Sequence, residues 1–524
     1  MEKNLMLIKD SMSEKERFDF FYKEMSKSGK IMYAGKILQK AYNNFPNNVA
    51  LIYKEKEITY TQLYSRTCSF AKKLKEQGVG PEDIVLIFFR NSLEFYIAYF
   101  ATWQTGAVVA PLNIYLKEYE LKHILKDSKA KLAIVDEKKQ GLFKDFEIPI
   151  LTQQDMDLGS EVLEEIREFK IREFEIPDKD PEKMAALLYT SGTTGLPKGV
   201  MLSSKNIITN MAQALSIMPF SESKKIYCIL PLFHCFAQNC CVWTSIFSGS
   251  TIIVVPKISR GEIFRSLKHK PNIFLGVPAL YGLLCLLKTA PLSCVDYFIC
   301  GGDALPDKIR AFFGLVYGRK LCNGYGLTET SPLISVDFDD LAQPTSTVGA
   351  PVTGVTCVIK DDDGHDLPAG QIGQLWVKGD NIMMGYYNAP EKTKEVIKDG
   401  WFVTGDLAKF DAYGKLVICG RLKDIIIHKG MNIYPQEVEN VILKHKDVLH
   451  VGVIGKDENF HGQVPIAFVK LRVDCKDIES KLRKLCKKEL AAYKVPRKFL
   501  VIKEMPLTAT GKVDKNSLRK QITD

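Results

Sequence analysis

Hydrophobic and polar positions alternate on two length scales along the first half of this chain. Short apolar runs, IVLIFF (Ile84–Phe89), KLAIVD (Lys131–Asp136), AALLYT (Ala185–Thr190) and TIIVVP (Thr251–Pro256), have the length and β-branched content of buried strands. Between them lie amphipathic stretches such as TQLYSRTCSFAKKLKEQG (Thr61–Gly78), whose apolar positions recur at helical spacing. Strand and helix in alternation predict a layered α/β fold with largely parallel sheet. The charged stretch Glu161–Lys183 reads as a solvated connection into the next strand.

The texture changes after about Val348. GAPVTGVTCVIKDDDGHDLPAGQIGQLWVKG carries short strands and turn pairs such as Asp363-Gly364, which predicts a small antiparallel or barrel-like region over about 345–419. A second turn, Asp411-Ala412-Tyr413-Gly414, precedes LVICGRLKDIII. The main boundary is expected near Gly420–Lys423, dividing a large domain, 1–419, from a small α+β domain, 420–524. In the small domain NIYPQEVENVILKHKDVLHVGVIG reads as helix then strand.

A chain of 524 residues is too long for one core, so two or more domains fit its size. The amino terminus, MEKNLMLIKDSMSEKERFDFFYKEM, has no apolar core or small-residue cleavage site, and no signal peptide is expected. The longest apolar stretch, Ile273–Leu287, is too short to span a bilayer and contains Pro278. A cytoplasmic protein is expected, with peripheral membrane contact left open. Thirteen cysteines over this length form neither a disulfide framework nor a zinc spacing, which reads as buried, reduced thiols. Net charge is +10, and from Leu422 onward 21 basic residues face 13 acidic ones. An excess placed there suits a polyanionic small molecule or a solvated face. Nucleic acid is disfavoured, because no aromatic-interleaved basic motif accompanies the charge.

Candidate chemistry begins after AALLYT. SGTTGLPKG, Ser191–Gly199, holds three glycines, follows Thr190, and contributes the hydroxyls of Ser191, Thr193 and Thr194 before Lys198. Small residues let backbone N–H groups approach phosphate oxygens, hydroxyls add donors, and lysine adds charge. The Walker spacing is absent.

YTSGTTGLPKGV resembles the signature of the adenylate-forming enzymes: acyl-CoA synthetases, aryl-CoA ligases, peptide-synthetase adenylation domains and luciferases. Further motifs of that family follow in order: LPLFHCFA (Leu230–Ala237), GGDALP (Gly301–Pro306), NGYGLTETSP (Asn323–Pro332), Gly400–Glu439, YKVPR (Tyr493–Arg497) and LTATGKVDK (Leu507–Lys515). The resemblance covers about Thr59–Lys515. It implies that ATP and a carboxylate form an acyl-adenylate and pyrophosphate, and that the acyl group then passes to a thiol.

The resemblance assigns roles residue by residue. Thr190, Ser191, Gly192, Thr193, Thr194, Gly195 and Lys198 would hold phosphates. Tyr325 would stack on adenine beside Gly302, Asp303, Ala304, Asn323 and Gly326. Thr328 would touch the α-phosphate, and Glu329 with Thr194 would hold Mg²⁺, a cation that takes hard oxygen ligands. Asp406 would accept the ribose hydroxyls, and Arg421 would contact ribose or phosphate. His234, Phe236, Gln238, Gly301 and Gly326 would line the acyl pocket, with Ala237 standing where glycine is common. Lys512 would bridge carboxylate and α-phosphate. Lys423 would be the hinge between two orientations of the small domain, one presenting Lys512 and the other the loop of Lys429, Gly430 and Asn432, where pantetheine passes.

Asn432-Ile433 before Tyr434-Pro435 resembles the fatty acyl-CoA enzymes in particular, and no carrier-protein motif is present. The expectation is a stand-alone ligase for medium- to long-chain fatty acids with CoA as acceptor. Acyl carrier protein as acceptor and a coumarate-type aryl acid are the alternatives. A firefly-type oxidation is disfavoured by the lack of an SKL-like C-terminus. A non-catalytic nucleotide-binding regulator would need a broken motif, and none is broken.

Overall fold

The computed structural model describes residues 12–27, 29–156, 174–191, 196–287, 290–338, 347–428, 431–458, 462–473, 475–508 and 512–523. Among these, two large sheets form the body of the protein, one of seven strands and one of eight. The apolar runs become strands Ile84–Phe88, Leu132–Val135, Met184–Ser191 and Thr251–Val254. The amphipathic stretch becomes the helix Tyr60–Glu76. It starts where Thr59 and Gln62 cap each other: the Gln62 amide donates to the Thr59 hydroxyl at 3.2 Å and the Thr59 amide to Gln62 Oε1 at 3.0 Å. Most of the expected connection Glu161–Lys183 lies outside the described residues, and 174–183 is irregular.

Pairing is parallel through the centre of both sheets, antiparallel at both edges of the eight-stranded sheet and antiparallel at one edge of the seven-stranded sheet. One core joins the two sheets: Val85, Ile87 and Ala186 of the first and Cys228, Ile252 and Ile299 of the second belong to it together with Tyr96 and Trp103 of helix Leu93–Gln104 and Ile208 and Met211 of helix Ser204–Ile217. The outer face of the second sheet is covered by helices Arg260–Leu267, Pro278–Leu287 and Asp307–Tyr317, packed through Ile263, Leu284 and Phe313. The apolar run Ile273–Leu287 therefore resolves into strand Ile273–Gly276 and the short helix from Pro278. Among the described residues no helix is long and apolar enough to cross a membrane. All thirteen cysteines are unpaired, nine of them buried.

The β-rich stretch forms a separate antiparallel sheet of Thr356–Lys360, Gly373–Lys378, Ile397–Lys398, Trp401–Phe410 and Leu416–Arg421. Its turn at Asp411–Gly414 closes because the Asp411 carboxylate accepts from the Tyr413 and Lys415 amides. One 3₁₀ turn, Leu422–Asp424, links its last strand to the C-terminal sheet, which begins with Ile426–His428. Helices Pro435–Leu443 and Ile478–Glu489 pack on that sheet through Val438, Ile442 and Leu482. The C-terminal unit docks on the body: Lys308 Nζ donates to the His445 carbonyl at 2.9 Å.

Candidate active site

Parallel sheets offer ligands a crevice at the carboxyl ends of their strands. A pocket of this protein lies there. It is lined by Gly301 and Gly302 after strand Tyr297–Cys300, by Tyr325 and Gly326 at the end of strand Leu321–Gly326, and by His234 and Phe236 from the loop after Lys225–Cys228. Thr328 closes one side, and Met218, Cys240, Ile299, Leu333 and Val336 supply apolar walls. Gly326 has a steric reason to be glycine, since a Cβ there would sit 1.9 Å from the Pro332 carbonyl oxygen.

The two ends of the glycine-rich segment belong to paired antiparallel strands, Met184–Ser191 and Pro197–Ser203, in which Lys198 faces Thr190. Gly192–Gly195, Thr194 included, and the side chain of Ser191 lie outside the described residues. Lys198 Nζ stands 5.3 Å from the centre of the Tyr386 ring. The Tyr386 hydroxyl donates to Glu329 Oε1 at 2.9 Å.

Asp406 sits inside strand Trp401–Phe410, directly opposite Arg421 on the neighbouring strand. The pairing brings Arg421 Nε to 3.3 Å from Asp406 Oδ1, while the Tyr325 hydroxyl donates to Oδ2 at 2.6 Å. Gly405, at φ +72°, kinks the strand just before it. Asp406 is 4% exposed, and burial raises its carboxyl above the ordinary value despite the Arg421 guanidinium beside it. At the edge of the pocket Asp406 thus joins Tyr325 by a hydrogen bond and Arg421 by an ion pair.

Lys512 lies next to the bridge between Leu507 and Val513, and the Thr508 amide donates to its carbonyl at 2.7 Å. Its ammonium comes within electrostatic range of Asp303, Asp406, Arg421 and His234. Burial lowers its pKa, and Asp303 works against that shift.

His234 caps the turn Cys235–Ala237, accepting from the Phe236 amide at Nδ1 at 3.4 Å. Burial, and then the Lys512 ammonium, depress its pKa from 6.5 to about 4. The ring is therefore neutral at physiological pH, with its proton on Nε2. The unfolded chain takes up a proton near pH 6.5 that the folded site refuses until about pH 4. This group's contribution to stability consequently declines as pH falls through that window. Histidine NMR should find the midpoint near 4 in the native protein and higher in Lys512→Ala. A midpoint near 6.5 that ignores the lysine would contradict this placement.

Other expected residues distribute unevenly. Asp303 and Ala304 are exposed beyond Gly302, with the Asp303 carboxylate accepting from the Ala304 amide at 2.9 Å. Asn323 is buried and donates to the Thr347 carbonyl at 3.1 Å instead of lining the pocket. The expectation for Gln238 is corrected: its side chain is fully buried in the core, accepting from Tyr99 Oη at 2.9 Å and donating to the Phe233 carbonyl at 3.1 Å. A π-helical turn starting at Gln238 carries it away from the pocket and brings Asn239 and Cys240 to the lining. Lys423 is exposed in the 3₁₀ turn and Asn432 on the hairpin Ile426–His428/Met431–Ile433, while Lys429 and Gly430 lie outside the described residues. Sequence reading missed Met218, Asn239 and Tyr386, none of which belongs to a motif.

Comparison with known proteins gives the chain's family. Residues 38–387 match the AMP-binding enzyme family and 437–512 the AMP-binding enzyme C-terminal domain. The long-chain-fatty-acid–CoA ligase of Bacillus subtilis is 32% identical over 93% of this chain and 94% of its own. 4-Coumarate–CoA ligase 3 of Oryza sativa is 29% identical over 88% of this chain and 87% of its own. The crystal structure of ATP-bound MatB from Rhodopseudomonas palustris superposes with a TM-score of 0.84 at 28% identity, covering 94% of this chain and 99% of that one. With a family model spanning most of its length and a nucleotide-bound neighbour of the same fold, the chain belongs to the AMP-binding enzyme family, the adenylate-forming acid–CoA ligases.

Proposed function

We propose that this protein is an AMP-forming fatty acid–CoA ligase. The observation that carries this reading is the pocket wall. Met218, Cys235, Phe236, Cys240, Ile299, Leu333 and Val336 present apolar surface, and no lysine, arginine or carboxylate is among its described lining residues. Asn239, the one amide there, is spent inside the protein. It donates to Asn210 Oδ1 at 2.8 Å and the Ser331 carbonyl at 3.2 Å, and accepts from the Thr244 hydroxyl at 3.2 Å. Away from His234 and Thr328, the side chains of this wall offer no partner to a second acid group or a phenolic hydroxyl, whereas an alkyl tail meets apolar surface.

In the first half-reaction, the fatty carboxylate oxygen attacks the α-phosphorus of ATP and the bond to pyrophosphate breaks. Lys512 is proposed to lie between the two reacting oxyanions, with Thr328 donating to an α-phosphate oxygen. Asp406 would accept both ribose hydroxyls, and Tyr325 would lie against adenine while its own hydroxyl keeps Asp406 oriented. The neutral imidazole of His234 leaves the mouth of the acyl pocket uncharged. Glu329 fits a magnesium site: among the described residues only its Oε1 accepts a side-chain hydrogen bond, and a single hard carboxylate oxygen suits a cation that keeps most of its waters. Mg²⁺ held there would neutralise the leaving pyrophosphate.

In the second half-reaction a thiol displaces AMP. Rotation of the C-terminal domain, 420–524, about Lys423 is proposed to withdraw Lys512 and bring in the loop of Lys429, Gly430 and Asn432. A second cleft, lined by Arg90, Tyr115, Phe233 and Lys257, offers cations and an exposed ring suited to the nucleotide end of CoA. This favours CoA over an acyl carrier protein.

A panel of acids from octanoate to palmitate, with cinnamate as the aryl arm, tests the reading through AMP release with CoA or holo-acyl carrier protein present. Fatty acids with CoA should dominate. AMP release driven by cinnamate and not by palmitate would overturn the assignment.

A further inference from the structure

The segment Asp380–Tyr387 lies between the two parts of the site that handle phosphate and metal, and no motif marks it. On one side it holds the turn that carries Thr328 and Glu329. The Met383 amide donates to the Glu329 carbonyl at 2.9 Å, and Asn381 Nδ2 to the Thr330 carbonyl at 2.9 Å. The Ser331 hydroxyl returns a bond to the Asn381 carbonyl at 2.9 Å. Asn381, Thr330 and Ser331 are fully buried, so these bonds do not exchange readily with water. On the other side the segment is a strand of the sheet that holds Met184–Ser191 and Pro197–Ser203. Tyr386 pairs with Val200, and the Tyr387 amide donates to the Gly199 carbonyl at 2.8 Å. Asn206, from the helix after those strands, donates to the carbonyls of Asp380 at 2.8 Å and Ile382 at 2.7 Å.

Tyr386 joins both sides with one side chain. Its hydroxyl holds Glu329 Oε1 at 2.9 Å, and its ring lies 5.3 Å from Lys198 Nζ. Its position is tightly set, since its own amide donates to the Thr393 hydroxyl at 2.9 Å. We infer that Tyr386 is a positioning residue that registers the metal-binding carboxylate of Glu329 against the phosphate-binding Lys198, so that a metal-bound triphosphate meets both in one geometry. The inference rests on the proposed role of Glu329. With one oxygen fixed by the phenol, the carboxylate cannot rotate freely, and its second oxygen has a defined direction. The ring face, negative at its centre, keeps the ammonium beside it.

A core tyrosine that only satisfied its own hydroxyl would affect stability alone. Tyr386→Phe removes the bond to Glu329 and keeps the ring, so the two roles separate. Calorimetry should show affinity for ATP in the presence of Mg²⁺ falling about tenfold, as loss of one hydrogen bond to a charged group implies. AMP without metal should bind within about twofold of the native protein, because it engages neither Glu329 nor the β- and γ-phosphates. In a Glu329→Gln background, the same substitution should add little further loss, the mark of coupled residues. Unchanged affinity for Mg²⁺-ATP, or equal losses for Mg²⁺-ATP and metal-free AMP, would overturn the inference and return Tyr386 to a structural role. A native protein whose ATP affinity does not respond to Mg²⁺ would overturn the role of Glu329 first, and this one with it.

Discussion

Lys512→Ala should slow acyl-adenylate formation by at least about a hundredfold, the usual consequence of deleting one preorganised donor from a charge-developing site. Thioester formation from supplied acyl-adenylate should retain most of its rate. The asymmetry follows from where the side chain is. Lys512 is held by the Leu507–Val513 bridge and by two bonds with Thr508, and its ammonium lies within electrostatic range of Asp303, Asp406 and His234 on the body of the protein. In that orientation it can stabilise charge as the carboxylate attacks phosphorus. Lys512→Arg should rescue poorly, because a planar fork replaces a compact point charge. Rapid-quench measurement of each half-reaction separates the outcomes, and equal loss in both would return Lys512 to a structural role.

Asp406→Ala should raise the KM for ATP roughly a hundredfold, since two bonds from ribose hydroxyls to a carboxylate, at about 1.5 kcal/mol or more each, are lost together. The KM for fatty acid should change far less. A second effect falls on the protein itself. The Tyr325 hydroxyl, 2.6 Å from Asp406 Oδ2, loses its acceptor, and Arg421 loses its cross-strand partner. Leaving a buried phenol unpaired costs about 1–3 kcal/mol, so the melting temperature should also drop. Asp406→Asn keeps an oxygen for Tyr325 and should recover stability more fully than ATP affinity. Steady-state kinetics beside thermal melts check both halves, and a rise confined to the fatty-acid KM would contradict the ribose role.

The layered α/β body and the helix-then-strand start at Asn432 were legible in the sequence because burial and periodicity are local signals. IVLIFF and TIIVVP are strands because both their faces are covered, and a run of apolar residues reports that directly. The resemblance also named several residues that line the pocket, His234, Tyr325 and Thr328 among them, and it named Lys512, whose ammonium lies within electrostatic range of Asp406, 106 positions away.

Pairing was not legible. Asp406 looks like a turn residue after Gly405, yet it faces Arg421 only because two strands align in one register, which neither segment encodes alone. Gln238 was placed in the pocket by resemblance alone, and no motif marks the π-helical turn that starts at this residue and carries its side chain into the core. Tyr386 escaped notice for a similar reason. It contributes through contacts with Glu329 and Lys198, residues 57 and 188 positions away, and those contacts exist only in the folded chain.

The central claim is that this site makes a fatty acyl-adenylate, and exchange of labelled pyrophosphate into ATP with palmitate and no thiol present tests it most directly. The account predicts exchange that requires the fatty acid and Mg²⁺ and is lost in Lys512→Ala. Exchange that is absent without CoA, or that runs unchanged when palmitate is omitted, would contradict it.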